Sequence, residues 1–159
     1  MCGIARQFHF QGDTAVDEKT IASMSECIAH RGPDDSGIYI NPSHKLGFGF
    51  RRLSIVDLSP AGHQPMQNAN KTVTIIFNGE IYNHKDFRKE MEERGHVYRS
   101  QSDTETILYL YEEYGIEFIH KLRGMFAIAI WDETKKRLFV VRDRIGVKPL
   151  YYTIRNSRF

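Results

Sequence analysis

The residue best suited to do chemistry is Cys2, which directly follows the initiator methionine. Removal of Met1 would leave this residue with a free α-amine as well as a thiol. An α-amine titrates near pH ~8, so it can take the thiol proton at neutral pH without a histidine partner. One residue would then supply both nucleophile and base. The alternative is a small apolar residue at the start of a strand, which is favoured for an isolated second-position cysteine.

A second candidate group is Asn78-Gly79, which follows the apolar stretch from Val73 to Phe77. If the strand ends there, a sharp turn can present a side-chain amide beside an open backbone N–H. Those are the two donors that an oxyanion hole needs. Asn-Gly is also a common turn pair, so the dipeptide taken alone favours an ordinary turn.

Three charged residues complete the candidate set. Arg52 closes the predicted strand Leu46–Phe50, where it can grip a carboxylate, although a solvated arginine beside Arg51 is the alternative. Asp103 in the first turn of a predicted helix can bind an ammonium group or simply favour the helix N-terminus, and Glu80 is equally ambiguous. Together these groups could hold a zwitterionic amino acid while a thiol attacks its side-chain amide.

Composition and charge exclude several classes of protein. The 159 residues, 41% hydrophobic and 26% charged, predict one soluble globular domain. Twenty-two basic and 20 acidic residues give a net charge of +2, which argues against nucleic acid or an anionic membrane as partner. Neither a membrane-spanning run nor a secretion signal is found, and Cys2 and Cys27 form no disulfide framework, so a cytoplasmic location is expected. The scattered histidines predict no metal site.

The elements that must position these groups mix strands with helices. The apolar strand Met125–Ile130 predicts burial on both faces, so we expect two sheets between helical layers. Ser102 and Glu105 have the spacing of a capping box that opens a helix. Predicted strands cover 4–10, 37–40, 46–50, 73–77, 124–131 and 137–141, and predicted helices cover 17–30, 84–94 and 102–114.

These segments resemble the N-terminal glutaminase domain of glutamine-hydrolysing asparagine synthetases, which are class II (N-terminal nucleophile) amidotransferases. The similarity spans nearly the whole chain, and its segments occur in the family order. They are MCGIA from Met1, HRGPDDSG from His30, RLSIVDLSPAGHQPM from Arg52, FNGEIYNH from Phe77, SDTE from Ser102, LRGMFAIAIWD from Leu122 and RDRIGVKPLYY from Arg142.

The resemblance implies an α+β fold, the four-layer αββα sandwich of N-terminal nucleophile hydrolases. It implies that Cys2 is the nucleophile and that its own α-amine is the base. Asn78 and the Gly79 N–H would form the oxyanion hole, and Arg52 would bind the α-carboxylate of glutamine. The remaining implied site residues are Leu53, Ile55 and Val56, whose backbone lines the pocket, and Glu80 and Asp103, which hold the substrate α-amine.

The implied reaction converts L-glutamine to glutamate and ammonia through a glutamyl thioester, without a cofactor. In complete family members ATP and Mg²⁺ belong to a synthetase domain that receives the ammonia, so a separate synthetase domain or subunit is an expected partner. The resemblance leaves two alternatives for the amide acceptor, aspartate or another carboxylate. It also leaves a homo-oligomer possible. The alternative function is a catalytically silent glutamine-binding or assembly module, or an unstable remnant of such an enzyme.

Two features depart from the family pattern. Position 6 is Arg where the family usually has Gly, and on a strand Arg6 shares a face with Cys2 and Ile4. A buried, unpaired guanidinium is costly, so we expect Arg6 to strain or reshape this strand. The chain also stops at Phe159 without an SGGxDS-type loop for ATP. We therefore expect residues 1–159 to be a glutaminase domain that is incomplete at its C-terminus, lacks the synthetase domain and leaves a sheet edge uncovered near a strand at 150–152.

Overall fold

In residues 2–159, which a computed structural model describes, seven strands and three α-helices form four layers. The first antiparallel sheet has the spatial order β1-β3-β2, and the second has the order β4-β5-β6-β7. The helix α1 packs on β1 and β3, whereas α3 packs on β5 and on α2. The predicted αββα sandwich is confirmed. The elements are β1 (Gly3–Phe8), α1 (Glu18–Cys27), β2 (Asp35–Ile40), β3 (Leu46–Arg52), β4 (Met66–Gln67), β5 (Val73–Ile81), α2 (His84–Glu93), α3 (Asp103–Tyr114), β6 (Gly124–Asp132) and β7 (Arg137–Arg142).

Two apolar cores hold the layers together. Successive side chains of a strand point to opposite faces, so β5 contributes to both cores. Ile76 packs between the sheets, while Ile75 and Phe77 pack against the layer of α2 and α3. The strand β6 is buried on both faces in the same way, as its apolar sequence predicted. The core between the sheets contains Leu46, Phe48, Phe50, Ile76, Ala129 and Trp131.

The helix α1 approaches the first sheet closely because the strand residues beneath it are glycines. A Cβ atom on Gly47 would lie 2.6 Å from Cγ1 of Ile21, and one on Gly3 would lie 2.9 Å from Cδ1 of Ile28. Ile21 is fully buried in this contact. The close packing fixes the start of β1, and therefore Cys2, against the helical layer.

Several element boundaries differ from prediction. The strand predicted at 73–77 continues to Ile81, so the turn expected at Asn78-Gly79 is wrong. The helix predicted at 17–30 ends at Cys27 and is followed by a short 3₁₀ turn, Ala29–Arg31. Only one of the two hydrogen bonds of the predicted capping box forms. The Glu105 carboxylate accepts hydrogen bonds from the N–H and hydroxyl groups of Ser100, and not from the N–H of the residue that caps the helix.

The C-terminal segment covers a sheet edge. The strand predicted at 150–152 does not form, and Tyr151 is 89% exposed. Further along, Phe8 and Phe159 exchange two backbone hydrogen bonds of 2.7 and 2.8 Å, and Phe10 N–H donates to Ser157. The last residues therefore extend the first sheet beside β1, and the uncovered edge expected in this region is not found there.

Arg6 leaves β1 regular. The pairing of β1 with β3 is unbroken from Gly3–Arg51 to Phe8–Leu46, so the expected reshaping of the strand is wrong. The guanidinium lies 4.5 Å from the centre of the Phe159 ring. Its Nε atom is buried and makes no hydrogen bond to the described residues, and burial lowers the pKa of Arg6 to about 10. The energetic cost of this burial stays a prediction.

Candidate active site

One cavity of about 120 Å³ gathers every site residue expected from the sequence. Its walls come from the start of β1, the end of β3 and the loop that follows, the end of β5 and the first turn of α3. The side chains of Ile55 and Val56 are exposed at its rim. The predicted residues that line it are Cys2, Arg52, Leu53, Ile55, Val56, Asn78, Gly79, Glu80 and Asp103.

The Cys2 thiol is partly buried and lies against the loop after β3. Its Sγ atom accepts a hydrogen bond from the Leu53 N–H at 3.4 Å and lies 3.6 Å from the Leu53 carbonyl oxygen. Arg31 Nε donates to the Cys2 carbonyl oxygen at 3.2 Å. These contacts fix the thiol at the cavity wall. The predicted removal of Met1 lies outside the described residues.

Gly79 is required for close strand packing, not for a turn. It pairs with Phe126 of β6, and a Cβ atom on Gly79 would lie 2.2 Å from the Met125 carbonyl oxygen. Any side chain at this position would therefore push β6 away from β5.

The Gly79 N–H faces the cavity because of the strand's alternation. Phe77 N–H donates to Gln64 Oε1 at 2.7 Å, and Ile81 N–H donates to Asp103 Oδ2 at 2.9 Å. Both bonds point away from β6, at an edge of β5 that the short strand β4 leaves open. Gly79 lies midway between them, so alternation directs its N–H to the same edge. The Gly79 N–H thus comes from an open strand edge and not from the predicted turn, and its role as an oxyanion donor stays a prediction.

The Asn78 side chain is the second donor. Asn78 is 4% exposed, and its amide makes no hydrogen bond to another described residue. Because the residue lines the cavity, this amide is available to a ligand there. The amide can therefore donate to an oxygen atom of a ligand bound in the cavity.

Arg52 is buried, which overturns the alternative of a solvated arginine. It is 7% exposed, and its guanidinium donates to the carbonyl oxygens of Ser59, at 2.9 Å, and Asp57. A guanidinium carries five N–H donors, so donors remain for a carboxylate in the cavity. Arg51 points to the opposite face and pairs with Glu26 of α1, as strand alternation predicted.

Asp103 places a carboxylate with a perturbed pKa at the cavity floor. The residue is 4% exposed, and its Oδ2 accepts the Ile81 N–H. Burial raises the pKa of Asp103 to about 6 and the charge of Glu80 adds to the rise, while backbone N–H groups oppose it. The helix cap is provided by Ser102, which accepts from Thr104 N–H at 3.1 Å. Asp103 is therefore free to face the cavity.

Lys148, which was not predicted as a site residue, lines the cavity and is 4% exposed. Asp143 organises the turn that carries it. The Asp143 carboxylate accepts from the N–H groups of Gly146, Val147 and Lys148 at 2.6, 2.8 and 3.0 Å. Burial would raise the pKa of Asp143, but these donors and Phe126 N–H outweigh it and lower the pKa to about 2. An aspartate three residues before a glycine is the local signal for such a turn.

Gln64 was also not predicted as a site residue. Its side chain connects the loop after β3 to two other walls of the cavity by hydrogen bonds. Its amide nitrogen donates to Thr104 Oγ1 of α3 at 3.1 Å, and its amide oxygen accepts from Phe77 of β5. No local pattern in the sequence shows that a loop glutamine will bridge a strand and a helix.

Among residues 2–159 there is no group of three or more His, Cys, Asp or Glu side chains that could hold a metal ion. None of the helices formed by these residues is long and apolar enough to cross a membrane.

The family is decided by comparison with known proteins. Residues 1–159 match the model of the glutamine amidotransferase domain. The chain belongs to the glutamine amidotransferase family. This amidotransferase domain is 46% identical over 160 residues to asparagine synthetase [glutamine-hydrolyzing] 1 of Bacillus subtilis strain 168, covering 99% of the chain and 25% of that relative. It is 43% identical over 151 residues to asparagine synthetase B [glutamine-hydrolyzing] of Escherichia coli K12, covering 95% of the chain and 26% of the relative.

The amidotransferase chain thus spans about a quarter of the length of these curated relatives. A solved structure of glutamine phosphoribosylpyrophosphate amidotransferase from B. subtilis shares its fold, with a TM-score of 0.79 and 18% identity over 98% of this chain and 40% of that one. The resemblance to glutaminase domains of asparagine synthetases is confirmed, and so is the glutamine-hydrolysing class of the domain.

Proposed function

We propose that this domain hydrolyses L-glutamine to glutamate and ammonia with Cys2 as the nucleophile. One observation carries the assignment of residues: the thiol opens into the same cavity as a buried arginine, two carboxylates and two unused N–H donors. The arrangement matches the charges of a free amino acid at one end of the cavity and its side-chain amide at the other.

Charge complementarity orients the substrate. The remaining N–H donors of Arg52 bind the α-carboxylate, and Asp103 and Glu80 hold the α-ammonium group. Cys2 and the Asn78-Gly79 pair line the same cavity. With its α-groups held there, glutamine places its side-chain amide within the cavity that the thiol lines.

The reaction proceeds by acyl transfer. After removal of Met1, the α-amine of Cys2 takes the thiol proton, and Sγ attacks the amide carbon. The tetrahedral oxyanion accepts hydrogen bonds from the Asn78 amide and the Gly79 N–H. The α-ammonium returns its proton to the leaving nitrogen, so ammonia departs and a glutamyl thioester remains. Water then attacks the thioester, which releases glutamate and restores the thiol.

The ammonia supplies an ATP-dependent amidation outside this chain, asparagine synthesis or a similar reaction on another carboxylate. Supporting this, relatives that carry the same domain are named glutamine-hydrolysing asparagine synthetases. ATP and Mg²⁺ would serve that synthetase reaction. The glutaminase step as proposed needs neither of them.

Intact mass with and without a diazo-ketone analogue of glutamine tests the proposal. The mature chain should lack Met1 and gain one adduct on the peptide that begins with Cys2. Cys2→Ala should abolish both the adduct and glutamate release. The exposed thiol of Cys27 provides the matched control, because Cys27→Ala should retain both. Retention of Met1 in an active chain, or labelling of Cys27 alone, would contradict the mechanism, and tight glutamine binding without turnover would support the silent-module alternative.

A further inference from the structure

A second cavity, of about 300 Å³, is lined in part by Asn78. It is bounded by β1, by the 3₁₀ turn that contains Arg31, and by the segment 149–151. Asn78 lines both cavities, so the two share a wall. None of the described residues that line the second cavity is acidic: they are Ile4, Arg6, Ile28, Arg31, Asn78, Pro149, Leu150 and Tyr151.

Two guanidinium groups enter this cavity without a counter-charge. The Arg6 side chain makes no hydrogen bond to the described residues, and its guanidinium lies over the face of the Phe159 ring. The Arg31 side chain makes a single hydrogen bond to the described residues, from Nε to the Cys2 carbonyl oxygen. The Nε atom of Arg6 and the Nη2 atom of Arg31 are buried and unpartnered. Neither arginine takes part in an ion pair with a described residue.

Burial of cationic donors without partners is unfavourable unless an anion completes the site. Arg6 stays charged at neutral pH even though burial lowers its pKa to about 10. The planar fork of a guanidinium matches a carboxylate in a bidentate pair. The apolar side chains of Ile4, Ile28 and Leu150 suit the hydrocarbon part of the same ligand.

We propose that this cavity binds a small organic carboxylate, with Arg6 and Arg31 as its guanidinium donors and the Asn78 wall beside it. Access is open, because Tyr151 at the cavity mouth is 89% exposed. A carboxylate there would accept hydrogen bonds from the guanidinium N–H groups other than the buried Arg6 Nε and Arg31 Nη2.

Titration with sodium propionate tests the site, using sodium chloride at equal ionic strength as the reference. The readout is the Nε–Hε signals of the arginine side chains in NMR spectra. Those of Arg6 and Arg31 should shift saturably with propionate and not with chloride. Arg6→Gln should weaken propionate binding at least tenfold, and Arg6→Lys, which keeps the charge but loses the fork, should weaken it less. The exposed Arg123 provides the control, because Arg123→Gln should leave binding unchanged.

Equal responses to propionate and chloride, or undiminished binding in Arg6→Gln, would overturn the proposal. The titration contains no glutamine, so its result does not depend on the glutaminase reaction. A free acid and an acidic side chain carry the same group, so a blocked tripeptide with a central aspartate is titrated in parallel. Tighter binding of propionate assigns the site to small acids, and tighter binding of the tripeptide assigns it to an acidic side chain. Either result supports a carboxylate site.

Discussion

Asp103 carries a carboxylate that water barely reaches, and we expect this to set a pH limit on the proposed binding of glutamine. With a pKa raised to about 6 by burial, it loses its charge in mildly acidic solution and can no longer hold an ammonium group. We expect kcat/KM for glutamine to fall below about pH 6. Asp103→Asn should lower kcat/KM throughout and remove that acidic limb. A limb that persists unchanged in Asp103→Asn would assign it to another group.

The same carboxylate should make the fold less stable at neutral pH. The folded state binds the proton more tightly than an unfolded aspartate, whose pKa is about 3.9. The penalty is therefore present at pH 7 and is relieved as the pH falls through about 6. Asp103→Asn should raise the free energy of unfolding at pH 7 by about 1–3 kcal/mol, measured by urea denaturation. Asp86, exposed in the first turn of α2, supplies a control, since Asp86→Asn should change little.

The side chains proposed to act on substrate could be chosen from residue type and order, but the residues that hold them in place could not. Cys2, Arg52 and Asp103 were chosen for chemistry, and all three line one cavity. Gln64 and Lys148 were missed because their roles depend on backbone groups far away in the sequence or on a turn whose direction the sequence does not show. The donor at Gly79 was predicted for the wrong reason, because an open strand edge replaced the expected turn.

Among the elements, the turn held by Asp143 is the most dependent on a single charge. Its pKa is lowered to about 2, so its contribution to stability is present above the unfolded value of about 3.9 and is lost as the pH falls towards 2. Asp143→Asn should cost roughly 2 kcal/mol at pH 7 and progressively less at pH 4 and pH 3, measured by urea denaturation. The exposed Asp13 gives the comparison, and a similar loss in Asp13→Asn would show a general charge effect.

Arg6 should make β1 less stable than an apolar side chain would. Arg6→Gly removes the unpaired guanidinium, although it gives up the Phe159 contact and adds the backbone entropy of glycine. Arg6→Met avoids the entropy cost and fills the same space. We expect Arg6→Gly to raise the melting temperature slightly and Arg6→Met to raise it by about 2–4 °C for each kcal/mol gained. Unchanged or lower values for both would show that the guanidinium is already well accommodated.

At the scale of the whole molecule, residues 157–159 pair beside β1, about 150 residues away in the sequence. Deleting 155–159 should remove the Phe8–Phe159 hydrogen bonds and expose the sheet edge. We expect a loss of about 1–3 kcal/mol in the free energy of unfolding and a greater tendency to aggregate. Phe159→Ala keeps the backbone pairing and should lose less. Equal stability of all three proteins would show that the edge needs no cover.

The layered arrangement of sheets and helices could be predicted because an apolar strand such as β6 must pack against other elements on both faces. The pairing of the chain ends could not, since no turn or hydrophobic pattern links β1 to a segment about 150 residues away. The exposed segment around Tyr151 was predicted as a strand from its composition, but it has no neighbouring strand to pair with.

The position of β1 also has a consequence for the order of assembly. The strand that follows Cys2 lies between β3 and residues 157–159, which come about 150 residues later in the sequence. Closing so long a loop is slow compared with forming local helices and hairpins. During synthesis the thiol therefore remains on an unpaired strand while the rest of the domain emerges. Catalytic competence should appear late in refolding, after most of the helical signal has returned.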